Sequence, residues 1–258
     1  MADEVCLAIL AKDKAHSLPL YLACIEAQTF PKDRTHLYIR TNNNNDATAQ
    51  VLTDWIERVK DKYVAVHFDS SDVPEAVQRY APHEWNYERF KVLGAIRQAS
   101  IDYAREHNTH YFVADCDNFI TSTTVEDLMR TNLPVIGPLL RCTTNGSVYA
   151  NYHLAIDANG YYADHAHYHT LLGRHVVGIF EVPVIHCTYL VRNEVLQHVS
   201  YNDGSCRYEY VLFCDSLRKA GIPQYLDNRK AWGHLTFADT TAALEAESWY
   251  ESMRAAVV

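Results

Sequence analysis

Apolar residues come in short blocks along the chain, and the spacing inside each block separates strands from helices. Residues 5–11 (VCLAILA) form an unbroken apolar run, the pattern of a strand buried on both faces. Over 15–28, Leu18, Leu22 and Ile25 recur at helical spacing, and Pro19 falls in the first turn, where no hydrogen bond is lost. A second strand is predicted over 35–41. It runs into Asn42-Asn43-Asn44-Asn45-Asp46, a polar turn whose last residues can cap a helix over 47–60. A third strand over 63–68, a loop over 70–83 and a long helix over 86–107 follow. Tyr111, Phe112, Val113 and Ala114 then read as a fourth buried strand. This βαβαβαβ order predicts an α/β fold with a mostly parallel, right-handed wound sheet and helices on both faces.

The second half is less regular. A helix is expected over 124–129 and a strand over 134–139. Strand-like runs over 147–162 flank Asp157-Ala158-Asn159-Gly160, which reads as a hairpin turn. Residues 164–175 carry His165, His167, His169 and His175 and read as a loop. A strand over 182–191, a helix over 208–220 closed by Gly221 with Pro223 behind it, a last strand at Tyr225-Leu226 and a tail helix over 240–254 complete the pattern. No repeat, low-complexity tract or linker interrupts it, so a single domain over 1–258 is the simplest expectation, with a small antiparallel region in its second half.

Composition narrows the class. At 48% hydrophobic and 21% charged, the chain has enough apolar mass for a core. Net charge is −9 with no basic block, which argues against a nucleic-acid surface. The 7 Cys include no CxxC pair and match neither a zinc site nor a disulfide framework, so a reducing compartment is expected. The start, MADEVCLAIL, lacks a basic region and a long apolar core, and no stretch approaches the ~20 residues of a membrane span. The expectation is a cytoplasmic chain with no membrane span.

The chemistry concentrates at Asp115-Cys116-Asp117, just past the fourth predicted strand. Ligands of wound α/β sheets bind at that edge. Two carboxylates one residue apart can share Mn²⁺, or Mg²⁺ as an alternative, with the phosphates of a nucleotide-activated substrate. An aspartyl-phosphate phosphatase also carries acid-x-acid after a strand, but normally after the first, with Thr or Val where this chain has Phe119.

LAKDKAHSLP (10–19), Arg89-Phe90 with Arg97-Gln98-Ala99, FVADCDNFI (112–120), YANY (149–152), GYY (160–162) and GIFEVPVIHCTYLV (178–191) stand in the order they take in one family. Through them the chain resembles the catalytic domain of the collagen hydroxylysine galactosyltransferases, which are GT-A-type enzymes. The likeness extends from about residue 8 to about 235. It implies a GT-A fold with a nucleotide-sugar half over 1–117, an acceptor half over 118–239 and a C-terminal helix over 240–258. It implies a UDP-hexose donor, Mn²⁺, inversion at the anomeric carbon, and a glycan or protein hydroxyl as acceptor.

By that resemblance Asp115 and Asp117 hold the metal. His234, after the last predicted strand, and His186, in VPVIHCT, both remain open as a third ligand, and His186 is expected in the pocket in either case. The four His over 165–175 read as surface or acceptor-side residues. The family places an acidic pair at the start of a late helix. Here Tyr208 replaces one acid, so Glu209 is the expected base, and Asp215 points away from it. Donor contacts are expected from Lys12, Asp13, Asn44, Asn45 and Asp46, which otherwise are turn residues. Of Arg89 and Arg97, Arg89 is the better placed for the diphosphate. Asn151 matches a family position and is expected to meet sugar or acceptor. A non-catalytic nucleotide- or carbohydrate-binding module on the same fold is the alternative from another class.

Overall fold

A computed structural model describes residues 3–74, 86–143 and 148–257. The chain opens as β1 (Val5–Ala11), α1 (Leu18–Glu26), β2 (Thr35–Thr41), α2 (Thr48–Val59), β3 (Ala65–Asp69), α3 (Tyr87–Glu106) and β4 (His110–Ala114). It continues through β5 (Asn118–Ile120), α4 (Thr124–Arg130), β6 (Val135–Pro138), β7 (Tyr152–His153), α5 (Tyr168–Leu172), β8 (Ile179–Glu181), β9 (Val184–Ile185), β10 (Thr188–Val191) and α6 (Asn193–Leu196). It closes with α7 (Glu209–Lys219), β11 (Tyr225–Asp227), β12 (Gly233–Leu235), α8 (Thr241–Glu245) and α9 (Tyr250–Val257).

The main sheet has eight strands in the order β3-β2-β1-β4-β10-β6-β11-β8. β1 pairs in parallel with both β2 and β4, and β2 with β3. β10 runs antiparallel between β4 and β6, and β8 antiparallel to β11. Chain order reverses between β1 and β4: the chain winds outward through β2 and β3, then returns to the other side of β1. Such a reversal opens a crevice at the carboxyl ends of the two central strands.

β1 alternates between two cores. Leu7 and Ile9 join Leu18, Leu22 and Ile25 of α1 and Leu52 and Trp55 of α2. Cys6 and Ala8 join Ile101 and Ala104 of α3 and Phe213 and Cys214 of α7. The period-2 geometry of a strand puts successive side chains on opposite faces, so a strand covered on both must be apolar throughout. The face bearing α3 and α7 supplies the site below. Among the described residues no helix is long and apolar enough to cross a membrane.

Several expected elements shift. α1 starts at Leu18 because the Lys14 carbonyl accepts from the Ser17 and Leu18 N–H groups, closing a turn first. The tail is two short helices. The run over 182–191 is broken into β9 and β10 by Cys187, whose φ of 63° no strand can carry. β5 and β12, three residues each, pair antiparallel and are too short to show a period. The hairpin around Asp157 is present, closed by an Ile156–Tyr162 bridge with Gly160 at φ 91°. The His-rich loop holds α5, and most of the loop expected over 70–83 lies outside the described residues.

Candidate functional site

β4 ends at Ala114 and the next residues turn out over the crevice. The Asp115 N–H donates to the Cys187 carbonyl at 2.9 Å, and the Asn118 N–H closes the turn on the Asp115 carbonyl. The two carboxylates each meet a cation. Arg97 Nη2 of α3 donates to Asp115 Oδ1 at 2.7 Å, and Lys14 Nζ, from the turn after β1, donates to Asp117 Oδ2 at 2.9 Å. Burial pushes the Asp115 carboxyl above its ordinary value; Arg97 offsets part of this, and the Asp117 charge adds to it. Burial works against the Lys14 ammonium too, but the Asp117 carboxylate outweighs it and the pKa rises.

Glu209 stands in the first turn of α7, where a carboxylate is favoured by the helix dipole. It is buried nonetheless, at 6% exposure. Its Oε1 lies 3.8 Å from Arg97 Nε, so one guanidinium separates it from Asp115. Burial raises its pKa, and Arg97 pulls the other way. Tyr208 caps the same helix and stacks on Phe90 of α3 at 3.8 Å. Asp215 is spent on Arg207 and Lys219, away from this group.

The expected donor contacts after β1 and β2 lace the two turns to each other. Asn44 Oδ1 accepts from the Asp13 N–H, and Asp13 Oδ1 accepts from the Asn45 N–H. Asp46 accepts from the Ala15 and Thr48 N–H groups, and Lys12 pairs with Asp13. These side chains build the crevice wall, with much of their hydrogen-bonding capacity spent on it. Arg89 sits in the first turn of α3, where the Asn86 side chain accepts from its N–H. The arginine that reaches the acid pair is Arg97, about two turns further along the helix.

Asn151 is fully buried. Its Oδ1 accepts from the Leu140 N–H and its Nδ2 donates to the Pro138 carbonyl, so the amide straps two backbone segments together and presents no open face to a sugar. Its carbonyl in turn accepts from the His186 N–H. His186 is buried among the rings of Tyr149, His153 and Tyr210, with Nδ1 2.8 Å from Cys187 Sγ. Burial pushes its pKa down to about 3, so it is neutral at any ordinary pH. His234 lies flat on Trp249, at 4.7 Å and 3° between the rings. The four His of the 164–175 segment are exposed.

Carboxylate oxygens suit a hard divalent cation. Each acid of the pair commits one oxygen to Arg97 or Lys14, and the two side chains remain 25% and 27% exposed. That donor set fits a cation held mainly by two carboxylates, with phosphate and water completing its shell. Among the described residues no group of three His, Cys, Asp or Glu is placed to hold a metal, so neither His234 nor His186 completes a three-ligand set.

Sequence reasoning passed over Lys14, Cys187 and Tyr149. Lys14 and Tyr149 stand inside recognised motifs, LAKDKAHSLP and YANY, which was the available signal. Cys187 stands in a third, GIFEVPVIHCTYLV, but its positive φ at a non-glycine residue leaves no mark in the sequence.

Residues 2–250 match the model of the N-terminal domain of glycosyltransferase family 25. The chain belongs to this family. It is 29% identical to procollagen galactosyltransferase 1 of Danio rerio over 98% of its own length and 43% of that protein's. It is 32% identical to the inactive glycosyltransferase 25 family member 3 of Homo sapiens over 90% of its own length and 40% of that protein's. The chain thus spans about two-fifths of the curated relatives it matches. Among solved structures it superposes on S. aureus TarS 1-349 in complex with UDP-GlcNAc, with a TM-score of 0.59 at 13% identity, covering 97% of this chain and 64% of that one. It also superposes on the mannosyltransferase PcManGT from Pyrobaculum calidifontis in complex with GDP-Man and Mn²⁺, with a TM-score of 0.53 at 12% identity, over 99% and 61%. The fold is GT-A.

Proposed function

We propose that this chain is an inverting, metal-dependent hexosyltransferase that moves galactose or glucose from a UDP-sugar to a hydroxyl on a glycan or protein. The observation that carries the reading is the placement of Asp115 and Asp117 at the β1/β4 crevice, with Glu209 one guanidinium away. The procollagen galactosyltransferase relatives favour the galactosyl donor, and the Mn²⁺ in the mannosyltransferase neighbour favours that cation.

Asp115 and Asp117 would hold the cation. When bound, it supplies charge neutralisation for the departing diphosphate. Glu209 would accept the proton of the acceptor hydroxyl as its oxygen bonds to the anomeric carbon from the face opposite UDP. The bond from that carbon to the diphosphate oxygen breaks, and its electron pair leaves with UDP. Burial suits Glu209 to this role, because a raised proton affinity brings a carboxylate closer to working pH. The turns laced by Asp13, Asn44 and Asp46, with Lys12 paired to Asp13, would face the nucleotide, and Arg89 of α3 would meet its diphosphate.

Glu209→Gln tests the assignment. Turnover of UDP-galactose or UDP-glucose should fall by about 10²–10⁴-fold, with UDP affinity within a few-fold of wild type. Equal loss of both would make Glu209 a donor-positioning group.

Two observations favour a second reading, the non-catalytic module. Both acids already carry a protein cation, and a relative at 32% identity is named inactive. Such a module would bind UDP-sugar and never release UDP, with or without acceptor.

A further inference from the structure

Arg97 meets two carboxylates that belong to different elements. It projects from α3 with its side chain 7% exposed. One nitrogen makes a short hydrogen bond to Asp115, beyond β4; another stands 3.8 Å from Glu209, on α7. The second contact is too long for a hydrogen bond. Arg97 Nε, Arg97 Nη1 and Glu209 Oε2 are all buried without a hydrogen-bond partner among the described residues. A neutral group left so costs about 1–3 kcal/mol, and a charged one more. The hydroxyls of Tyr189 and Tyr201, close enough to act on the guanidinium, bond to each other, and neither is a partner of these atoms. A buried ionic bridge of this quality is poor value as a stability device, because apolar side chains of equal volume commonly serve as well.

We infer that Arg97 is a positioning residue that ties the acid pair to Glu209 and so holds the donor side and the acceptor side of the site in register. This rests on the reading of Asp115 as donor-side and Glu209 as base. The planar guanidinium can point one N–H at each carboxylate, whereas an ammonium is a point charge that serves one of them well. Gly94, one turn before Arg97, lets α3 approach closely enough for this: a Cβ there would lie 3.1 Å from the Tyr201 carbonyl oxygen and 3.5 Å from Glu209 Cβ.

The test uses Arg97→Lys, Glu209→Gln and the double variant. Three quantities are measured on each: UDP release from UDP-galactose or UDP-glucose, UDP affinity with Mn²⁺ by calorimetry, and Tm. Arg97→Lys should lower kcat by about 10- to 100-fold, the scale of a displaced reacting group. It should leave UDP affinity within about threefold, and add little when Glu209 is already Gln, since the two act as one unit. Loss of UDP affinity in step with kcat, or an effect that multiplies fully in the Glu209→Gln background, would overturn the proposal. If Arg97→Lys fails to fold, Glu209→Asp takes its place. It keeps a carboxylate but draws it back from Arg97, so kcat should fall with UDP affinity retained, and wild-type turnover would overturn the proposal. Wild-type turnover in Glu209→Gln alone would instead remove the base assignment.

Discussion

At the scale of single residues, the site is held by side chains that are costly where they stand. Asp115 and Glu209 are both pushed toward the protonated form by burial, and Arg97 offsets that for each. A carboxyl whose folded pKa is raised contributes stability below its ordinary value and loses it as pH rises through the folded one. Once ionised, Glu209 is therefore a cost, so Glu209→Gln should lose turnover without lowering Tm. Asn151 stands at the opposite extreme. Its amide satisfies buried backbone groups, and Asn151→Ala leaves the Leu140 N–H and the Pro138 carbonyl short of a partner. The expected loss is about 2–6 kcal/mol in denaturant unfolding, at about 1–3 kcal/mol for each of the two stranded groups. A variant of wild-type stability that had lost donor or acceptor binding would return Asn151 to the ligand.

At the scale of elements, the site is made where α3 and α7 approach under the ends of β1 and β4. Gly94→Ala sets two effects against each other. Alanine gains about 1 kcal/mol of helix propensity, while its methyl presses on the Tyr201 backbone and on Glu209. Tm should change little and kcat should fall several-fold through displacement of Glu209; unchanged kcat would show that this helix contact does not set the base. Much of this layout was legible in the sequence. β1, β4 and the acid pair were readable because a strand buried on both faces must be largely apolar and must end abruptly where it meets solvent; β2 was readable from the alternation of Leu37 and Ile39 with other residues. Arg97 was legible as a helix residue and not as a buried bridge, since an arginine on a helix of mixed polarity looks the same in either place. The break at Cys187 was hidden for a different reason: the strand-like pattern resumes at once after it, and nothing local marks its positive φ or the carbonyl that accepts from Asp115. β5 and β12 depend on each other. At Gly233 the chain takes φ 141°, and a Cβ would fall 1.9 Å from the Phe119 carbonyl oxygen, a constraint that only the paired strand reveals.

At the scale of the whole molecule, one sheet draws its strands from both halves of the chain, so the β1/β4 crevice is roofed by segments far apart in sequence. The acid pair comes from the first half, Glu209 from the second, and Arg97 spans them. On the proposed reading, donor binding and proton transfer would share this one frame, with the acid pair at its centre. That site is tested most directly by thermal unfolding with UDP-galactose, UDP-glucose, UDP or GDP-mannose, each with Mn²⁺ and with EDTA, in wild type and in Asp115→Asn. A ligand bound only to the folded state raises Tm, by about 2.7 kcal/mol of stability at a hundredfold excess over Kd. The account predicts a rise with the UDP ligands and Mn²⁺ that EDTA abolishes and Asp115→Asn loses. An equal rise in EDTA, or none with any UDP ligand, would contradict it.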